Sequence, residues 1–376
     1  MYGKIVREFA PNAKNNRNSE GTFVKLKNGD ILCGYARYRD AGSGDHATAD
    51  IYGVVSSDGG ESFGKEFLLL ACEDANADNV MSPSLMRLKS GALALFHLRK
   101  NISKEDNLYN CIPYLSISYD EGETWSEHIR CADEDGYFVL NNDRIVELKS
   151  GRLLMPVAKH DIVNWKVSIS RAVHMYASDD DGKTWRKIAG DIKMQGVGKN
   201  PDLPEHHLSQ NDSCLEPGVI QLEDGRIWCF FRTMLERQYE CFSDDNGETW
   251  SVPYPSNYTS QRSPMSVKKL RDGKMIAVWN PVPTYNGSSR SVDGVWTGGR
   301  TPLTCVLLDE NRKRITNFTN LETEKKAGFC YTAIFETDDG DVLLAYCAGG
   351  VPDGTCLARL RIRKLYKADL DKMIIL

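Results

Sequence analysis

Short hairpins recur at six places along the chain. In each one, a residue that is usually leucine is followed by two polar positions, a glycine, one further position and an apolar residue. Apolar or alternating runs flank the copies, as in residues 31–35 and 342–346, which is typical of strands. Glycine suits such a turn because it adopts positive φ without steric cost. The pattern therefore predicts six strand–turn–strand units, centred on Gly29, Gly91, Gly151, Gly225, Gly273 and Gly340.

A second repeated segment carries Ser, Asp, Gly, Thr or Ser, and an aromatic residue at fixed offsets. It occupies residues 56–63, 118–125, 178–185 and 243–250. In its first three copies the Asp follows the hairpin glycine by a constant 29 positions, as from Gly29 to Asp58. An Asp carboxylate can accept hydrogen bonds from turn amides, and the aromatic ring can pack beneath the turn. Each repeat is therefore predicted to be two successive hairpins, which make a four-stranded antiparallel unit.

Six such units, with no helical pattern of useful length between them, predict an all-β fold. The architecture that fits is a six-bladed β-propeller of four-stranded antiparallel blades. We expect a single domain over residues 1–376, because a partial ring would leave open blade edges. The ring would close by pairing residues 5–6 with the region 357–365. A β-sandwich with many hairpins is the alternative, but it does not demand six equal repeats.

Charge and composition narrow the classes of function. The 376 residues include 47 Lys+Arg and 52 Asp+Glu, a net charge of −5, which argues against binding to nucleic acid or acidic lipid. No apolar stretch approaches the roughly 18 residues needed to cross a bilayer. Charged residues also occupy the start of the chain, where a signal peptide has its apolar run. We therefore expect a soluble, cytoplasmic chain with no membrane partner.

The eleven cysteines are scattered, and none forms a Cys-x-x-Cys pair. This favours small buried hydrophobic side chains in a reducing compartment over a disulfide framework or a zinc site. No Gly-rich phosphate loop, Ser-His-Asp order or metal-ligand cluster stands out, so no metal and no cofactor are expected. His206 and His207 lie on a polar, Pro-containing segment, for which a solvated loop is favoured over a metal or substrate role. The sequence does not indicate an oligomeric state.

The four Ser-x-Asp-x-Gly-x-Thr/Ser-aromatic segments on six repeats resemble the Asp-box turns, or BNR repeats, of the sialidase (neuraminidase) superfamily. The resemblance extends from about residue 17 to residue 346, and it implies a six-bladed propeller. Such turns also occur on non-catalytic propellers, where they lie on the outer periphery of the blades. The function must therefore be argued from the site residues.

The informative positions are those where the innermost strands would begin, nine residues before each hairpin glycine. Glu216 and Tyr331, at two of these positions, look like the Glu and Tyr of sialidases. The resemblance implies that Tyr331 is the nucleophile and Glu216 its general base. Arg232, sixteen residues after Glu216, and Arg300, before Tyr331, are similar to family arginines that hold the substrate carboxylate. The full set of six positions is Glu20, Ser82, Asn142, Glu216, Pro264 and Tyr331.

The sequence departs from the family pattern at the first arginine. The family's Arg-Ile-Pro segment would begin at Ser19, whereas Arg17 stands two residues earlier. Arg17 is the candidate for this role, with Arg37 or Arg39 as replacements. Glu20 would add a negative charge that an ordinary sialidase lacks there. A substrate other than common sialic acid is consistent with this departure.

The general acid of the family is an Asp on the loop that corresponds to residues 40–50. Asp45 has the best spacing, thirteen residues before Asp58, and Asp40 and Asp50 are the alternatives. Further candidates at inner-strand ends line the pocket or form a salt-bridged blade edge; these are Asn142, Asp143, Arg144 and Arg99. Trp165 and Trp296 are candidate platforms for sugar stacking.

These residue types fit one chemistry. A sialic acid carries a carboxylate on its anomeric carbon, so a phenol activated by Glu avoids the repulsion that a carboxylate nucleophile would meet. Arginine binds such a carboxylate in bidentate fashion. The sequence therefore predicts a retaining exo-glycosidase that removes a terminal α-linked sialic acid or a related acidic sugar from an oligosaccharide. The alternatives are hydrolysis of another acidic sugar, a propeller that binds acidic glycans without cleaving them, and a scaffold with no sugar site.

Overall fold

The structure is a computed structural model that describes residues 2–39, 42–126, 128–170, 172–195, 212–287 and 289–374. Strands make up 48% of the chain and helices 3%, so the fold is nearly all-β, as the repeat pattern predicts. Asp40, His206 and His207 lie outside the described residues. Within the described ranges, no helix is long and apolar enough to cross a membrane.

The first strand, β1 (Lys4–Phe9), belongs to the last sheet. The first complete sheet is a four-stranded antiparallel meander in chain order. Its first two strands are buried along almost their whole length, on both faces. The predicted hairpin at Gly29, whose φ is 95°, joins them. The four strands are β2 (Arg17–Lys25), β3 (Ile31–Tyr38), β4 (Ala49–Ser56) and β5 (Phe67–Leu70).

The second and third repeats share one nine-stranded sheet, with strands β6 (Asn79–Arg87), β7 (Leu93–Ser103), β8 (Leu108–Ser118), β9 (Ile129–Arg130), β10 (Tyr137–Val139), β11 (Val146–Glu147), β12 (Leu153–His160), β15 (Val173–Ser178) and β16 (Arg186–Lys187). A small hairpin of β13 (Ile162–Val163) and β14 (Lys166–Val167) stands apart. Strand β10 pairs antiparallel with β12 and parallel with β8. The repeat pattern predicts separate units here, but the extended connection between them hydrogen-bonds to both.

Two further four-stranded sheets follow. One contains β17 (Leu215–Gln221), β18 (Ile227–Arg232), β19 (Arg237–Ser243) and β20 (Tyr254–Thr259). The next contains β21 (Ser266–Lys269), β22 (Met275–Trp279), β25 (Leu303–Leu308) and β26 (Thr319–Glu322). Between its second and third strands lie a 3₁₀ turn (Thr284–Asn286) and a hairpin of β23 (Ser291–Val292) and β24 (Val295–Trp296).

The last sheet joins the two ends of the chain. It contains β27 (Cys330–Glu336), β28 (Val342–Cys347), β29 (Leu360–Leu365) and β1. Ile5 pairs with Arg363 and Glu8 with Arg361, which confirms the predicted pairing of the ends. A 3₁₀ turn (Val351–Asp353) precedes β29, and the helix α1 (Lys367–Met373) follows it. The N-terminal strand β1 is therefore hydrogen-bonded to β29, the last strand of the chain.

The apolar core lies between neighbouring sheets. Phe23 and Tyr35 of the first sheet pack in one cluster with Leu343 and Ala345 of the last sheet. Burial of such side chains is the main favourable contribution to folding, at roughly 25 cal/mol per Å² of apolar surface. All eleven cysteines are buried free thiols, as predicted for small hydrophobic side chains. The sheets are therefore held by face-to-face packing on both sides.

The repeated Ser/Asp turns have the same hydrogen bonds at all four places. In the second copy, the amides of Gly122 and Thr124 donate to Ser118 Oγ and Asp120 Oδ1, at 2.8 and 2.9 Å. The equivalent bonds recur in the other three copies. The prediction that the Asp carboxylate accepts bonds from turn amides is confirmed. These bonds fix the turn between the third and fourth strands of a unit.

The turn carboxylates are expected to make stability depend on acid pH. The hydrogen bond from the Thr124 hydroxyl lowers the pKa of Asp120 from 3.8 to about 2. A carboxylate whose pKa falls on folding stabilises the fold above its unfolded pKa, and this stabilisation is lost as pH falls through the folded pKa. We expect Asp120→Asn to be less stable than the wild type near neutral pH, and the difference to shrink between about pH 4 and pH 2. Urea midpoints at several pH values measure it.

The control for this series is Asp339→Asn, at an exposed hairpin turn that lacks the Ser/Asp motif. Its midpoint should follow that of the wild type at every pH. A difference between Asp120→Asn and the wild type that stays constant down to pH 2 would contradict a role for the ionised carboxylate.

Candidate active site

In four of the repeats, the first strand begins with the same distortion. The register of each shifts against its partner strand at Ser19/Gly21, Met81/Ser84, Leu215/Gly218 and Cys330/Ala333. The residues at these β-bulges adopt positive φ: Glu20 (61°), Ser82 (53°), Glu216 (48°) and Tyr331 (57°). Left-handed backbone at non-glycine residues is uncommon and concentrates at functional sites. All four are positions that the nine-residue count selects, so the repeat register aims these side chains at one place.

That place is a cavity of about 240 Å³. The four bulge residues line it together with Asp45, Arg232 and Lys100. Its remaining wall includes Tyr137 and His160, along with apolar side chains. The structure therefore brings together Tyr331, Glu216, Asp45, Arg232 and Glu20 from the residues that the sequence singles out.

Tyr331 and Glu216 are in direct contact. Tyr331 Oη donates to Glu216 Oε1 at 2.8 Å, and Arg232 Nη1 contacts the other carboxylate oxygen at 2.9 Å. Burial raises the pKa of Tyr331, the Glu216 charge raises it further, and Arg300 and Arg232 oppose both. The phenol therefore stays protonated at rest, with a carboxylate in place to accept its proton.

Arg300 lies beside this pair. Its guanidinium sits 5.2 Å from the centre of the Tyr331 ring and 5.1 Å from that of Trp296. Its Nη1 donates to Cys330 Sγ at 2.9 Å, and its buried Nε has no hydrogen-bond partner within the described ranges. The side chain is almost fully buried. Arg300 therefore supplies a positive charge next to the Tyr331 phenol.

Two further arginines stand near Arg232 and Arg300. Burial lowers the pKa of Arg290, and the charges of Arg262, Arg232 and Arg300 lower it further. Arg262 contacts Glu236 at 3.5 Å. This side of the site carries an excess of positive charge that a bound anion would relieve. Sequence reasoning missed both residues; the one signal was that Arg262 lies two positions before Pro264, an inner-strand start.

Arg17, the displaced first arginine, already has two carboxylate partners. Its Nη1 contacts Asp45 Oδ1 at 2.6 Å, and its Nη2 contacts Glu20 Oε1 at 3.1 Å. Its guanidinium also lies 4.3 Å from the centre of the Tyr38 ring. With 1% of its surface exposed, Arg17 is a fixed part of the wall. Arg17 does not itself line the cavity. It lies behind Asp45 and Glu20, which do.

The two carboxylates on Arg17 differ in proton affinity. Partial desolvation tends to raise the pKa of Asp45, whose side chain is 58% exposed, but the Arg17 charge, with a smaller contribution from Lys100, holds that pKa well below its usual range. Burial raises the pKa of Glu20, and Arg17 and Ser82 only partly oppose the rise. The Ser82 hydroxyl donates to Glu20 Oε2 at 2.6 Å. At rest, Asp45 is therefore ionised, and Glu20 is the carboxyl group that more readily keeps a proton.

Lys100 is a site residue that the sequence analysis did not select. It is 3% exposed, and its Nζ donates to the Asp45 carbonyl oxygen at 2.6 Å. Its neighbour Arg99 was selected, but Arg99 lies over the Tyr114 ring at 4.9 Å instead. Successive side chains of a strand point to opposite faces, so only one of the two reaches the cavity. The sequence contains no signal for which one does.

Four more predicted residues do not line this cavity, in addition to Arg17, Arg99, Arg144, Arg300, Asp50, Trp165 and Trp296. Arg37 contacts Glu66 at 3.0 Å, away from the site. Asn142 donates to the carbonyl oxygens of Gly21 and Tyr331, at 2.6 and 3.2 Å. Asp143 accepts from the Ile334 amide at 3.1 Å. These contacts tie inner strands together and so hold the bulges in register. The fourth is Arg39, which contacts Asp50 at 2.8 Å.

Asp50, the alternative acid, is 3% exposed and is held by Arg39 outside the cavity. Asp50, Cys72 and Glu73 bring three potential metal ligands together. Arg39 contacts all three, with Nη2 at 3.1 Å from Cys72 Sγ and 2.6 Å from Glu73 Oε1. The three side chains therefore come together because each contacts Arg39, without a metal ion being required.

The predicted stacking residue Trp165 lies next to the site in space. It stacks on Tyr109, with ring centres 5.8 Å apart and an interplanar angle of 12°. Tyr109 Oη contacts His46 Nε2 at 3.2 Å, and His46 follows Asp45 in the chain. An aromatic surface of Trp165, Tyr109 and Tyr137 thus adjoins Asp45. It offers apolar faces on the Asp45 side of the cavity.

A family model described as a BNR repeat-like domain matches residues 35–344. The chain belongs to this BNR repeat-like family. The assignment agrees with the resemblance of its turns to the sialidase superfamily. This BNR repeat-like protein is 25% identical over 264 residues to the anhydrosialidase of Macrobdella decora, a match that covers 65% of the chain and 31% of the relative. The match thus spans about a third of that relative's length.

Solved structures of similar fold cover nearly all of this BNR repeat-like protein. A protein of unknown function from Dyadobacter fermentans has a TM-score of 0.72 at 17% identity, covering 96% of this chain and 99% of that one. The NanB sialidase of Streptococcus pneumoniae has a TM-score of 0.69 at 14% identity, covering 98% and 71%. At these identities the comparison shows a shared fold, and the chemistry must come from the site.

Proposed function

We propose that this protein is a sialidase-like retaining exo-glycosidase that removes a terminal α-linked sialic acid or a related acidic sugar. The observation that carries the proposal is the 2.8 Å hydrogen bond from Tyr331 Oη to Glu216, with Arg232 on the second oxygen and Arg300 beside the ring. A buried Tyr–Glu pair among arginines suits attack on a carbon that bears a carboxylate. The family membership and the sialidase-like fold support the same reading.

In the proposed reaction, the Tyr331 oxygen forms a bond to the anomeric carbon as its proton passes to Glu216. The bond to the leaving oxygen breaks while an acid residue protonates that oxygen. Water then attacks the anomeric carbon and gives a proton to the same acid residue, while the bond between that carbon and the Tyr331 oxygen breaks. The released Tyr331 oxygen recovers its proton from Glu216. Arg17, Arg232 and Arg300 hold the substrate carboxylate in register throughout.

Asp45 is the proposed acid/base, and substrate binding would prepare it. While Asp45 is paired with Arg17 at 2.6 Å, it is a poor proton donor. A substrate carboxylate that binds the Arg17 guanidinium would displace Asp45 from its ion pair with Arg17. The pKa of Asp45 would then rise toward the ordinary range. Glu20 is the alternative donor, since burial already raises its pKa.

A different acidic sugar is the second candidate substrate. Glu20 lines the cavity and occupies one face of Arg17, at 3.1 Å. A sugar with a hydroxyl or amino group at that point would be favoured over one with a negative charge there. Binding of an acidic glycan without cleavage remains the proposal to adopt if turnover is absent but binding is found.

We further propose that residues 1–376 form one six-bladed propeller with the site at its centre. The support is the six-fold hairpin repeat, the pairing of β1 with β29 and the convergence of four inner-strand bulges on one cavity. The nine-stranded sheet would then be two blades joined through β10.

The proposal is tested by release of fluorescence from the 4-methylumbelliferyl α-glycoside of N-acetylneuraminic acid. We expect turnover, and none with the methyl ester of the same glycoside, which presents no carboxylate to the arginines. If the wild type is inactive but binds the free acid, the glycan-binding alternative or another acidic sugar replaces the proposal. If it neither turns over nor binds acidic sugars, the site assignment is wrong.

The leaving group distinguishes the two candidate acids. We expect Asp45→Asn to slow cleavage of a sialylated disaccharide by roughly 10²- to 10⁴-fold, because a sugar oxygen must be protonated as it leaves. The same variant should affect the methylumbelliferyl substrate far less, because that phenol departs as an anion. Glu20→Gln is the matched variant, made on the other carboxylate of Arg17. If Glu20→Gln shows this leaving-group dependence and Asp45→Asn does not, Glu20 is the acid.

A further inference from the structure

A second cavity lies further along the same inner strands. Its volume is about 460 Å³, against about 240 Å³ for the candidate active site. The active-site cavity takes Ser82 and Glu216 from the beginnings of β6 and β17, whereas the second takes residues 84–86 and 219–221 from further along them. Residues 267–269 of β21 complete it. The two cavities share no lining residue, and the proposed reaction uses nothing in the second.

Arg144 lines this second cavity and is 5% exposed. Its Nη2 donates to the Met265 carbonyl oxygen at 2.7 Å, and its guanidinium lies 5.8 Å from the centre of the Phe230 ring. Its buried Nε has no hydrogen-bond partner among the residues that the structure describes. No carboxylate in the described part of the chain forms an ion pair with it. Arg144 therefore presents a buried charge whose compensation is incomplete.

Burial also changes the proton affinity of the Arg144 guanidinium. It lowers the pKa of Arg144 from 12.5 to about 10, and the charge of Asp143 opposes the shift without cancelling it. A buried charge is retained in proteins when it is paired or hydrogen-bonded. An anion in the cavity would supply the missing partner.

The other charges of the cavity are already matched. Lys268 contacts Asp143 at 3.3 Å. Lys149 contacts Glu223 at 3.0 Å, and Lys269 is paired with the same carboxylate. The exception is Glu147, a carboxylate that also lines the cavity and has no ion-pair partner among the described residues. Arg144 is thus the cation of this group, among the described residues, that lacks an ion-pair partner.

The rest of the wall is largely apolar and is shaped around Arg144. Leu85, Val219, Phe230 and Val267 contribute to it. A Cβ atom on Gly218 would lie 3.1 Å from Arg144 Nη1 and 2.7 Å from the Phe230 ring. The glycine therefore leaves room for the guanidinium to lie against the ring. The unpaired Arg144 charge beside this apolar part of the wall suits a ligand with one ionised end and an apolar body.

We propose that this cavity binds a small organic anion, a carboxylate or sulfonate with an apolar body, through an ion pair with Arg144. The apolar body would lie against Phe230 and Val267, and the anionic group would complete the hydrogen bonds of the guanidinium. Such a site is independent of the glycosidase proposal, because it shares no residue with that site.

The probe for this site is 8-anilinonaphthalene-1-sulfonate, whose fluorescence rises when it leaves water. We expect saturable binding to the folded wild type, displaced by 1-naphthoate and at least tenfold less effectively by uncharged 1-naphthalenemethanol. Arg144→Met should weaken binding at least tenfold. Arg226→Met, at the exposed hairpin between β17 and β18, is the matched control and should bind as the wild type does.

Two results keep the test decisive. If Arg144→Met does not fold, Val267→Phe is the second variant, because the larger ring fills the cavity and leaves Arg144 in place. Val267→Phe should abolish binding of the probe at an unchanged thermal midpoint. Absence of saturable binding to the wild type, equal competition by the acid and the alcohol, or unchanged affinity in both cavity variants would overturn the proposal. Hydrolytic activity does not enter the readout, so failure of the glycosidase proposal leaves this result interpretable.

Discussion

Tyr331→Phe is expected to abolish turnover while leaving the affinity for free acidic sugar within a few-fold of the wild type. The substitution removes one oxygen, which is the proposed attacking atom and the donor to Glu216 at 2.8 Å. The ring remains beneath the Arg300 guanidinium, 5.2 Å away. Loss of a nucleophile costs roughly 10³- to 10⁶-fold in kcat. The measurement is kcat and KM with the methylumbelliferyl glycoside, together with calorimetric binding of the free acid.

The matched control for this variant is Tyr239→Phe. Tyr239 is another buried tyrosine, packed against Phe231 with ring centres 6.3 Å apart and outside the cavity. Its loss of a hydroxyl should leave kcat unchanged. Turnover by Tyr331→Phe within tenfold of the wild type would show that the phenol oxygen is not the nucleophile.

Glu216→Gln is expected to lower kcat without weakening substrate binding. The amide keeps the size of the side chain but cannot take the proton of Tyr331, and loss of general base catalysis costs roughly 10²- to 10⁴-fold. The same change removes the negative charge at 2.9 Å from Arg232. The Arg232 charge then becomes available to the sugar carboxylate, so the affinity for the free acid should stay equal or rise. Calorimetry and steady-state kinetics separate the two effects.

The control for Glu216→Gln is Glu240→Gln, in the same sheet. Glu240 is also a buried carboxylate paired with an arginine, Arg312, at 2.8 Å. This variant should lower stability and leave kcat per folded molecule unchanged. If Glu216→Gln instead raises the dissociation constant with little effect on kcat, Glu216 acts in substrate binding and the base must be another group.

Much of the fold follows from local sequence, and particular elements show why. The Ser/Asp turns form through bonds between residues at most four positions apart, such as Thr124 and Asp120, so the motif alone predicts them. The hairpin glycines act in the same local way. Strand β10 could not be predicted, because its three residues form a strand only through partners on β8 and β12.

The site is predicted where the repeat register applies and missed where it does not. Glu20, Ser82, Glu216 and Tyr331 occur at one position of the repeat and all reach the cavity. Lys100 and Arg290 lie outside that register, and only the assembled sheets bring them near the site. Asn142 has the same position in the repeat, but its side-chain amide donates hydrogen bonds to carbonyl oxygens of neighbouring strands and does not reach the cavity. The third repeat places its positive φ at Asp143 instead (57°).

The sequence by itself determined the all-β class, the turn chemistry, the pairing of the chain ends and the bulge positions that point inward. The class and the turns depend on period-two patterning and on bonds between near neighbours, whereas the pairing of the ends and the inward positions follow from the repeat. Tertiary structure decided which charges meet: Arg17 with Asp45, 28 residues away, and Tyr331 with Glu216, 115 residues away. These long-range contacts set the protonation state of the site carboxyl groups, because the pKa of a carboxyl group depends on burial and on charges a few ångströms away. That is why Asp45 and Glu20, both on Arg17, differ in their hold on a proton.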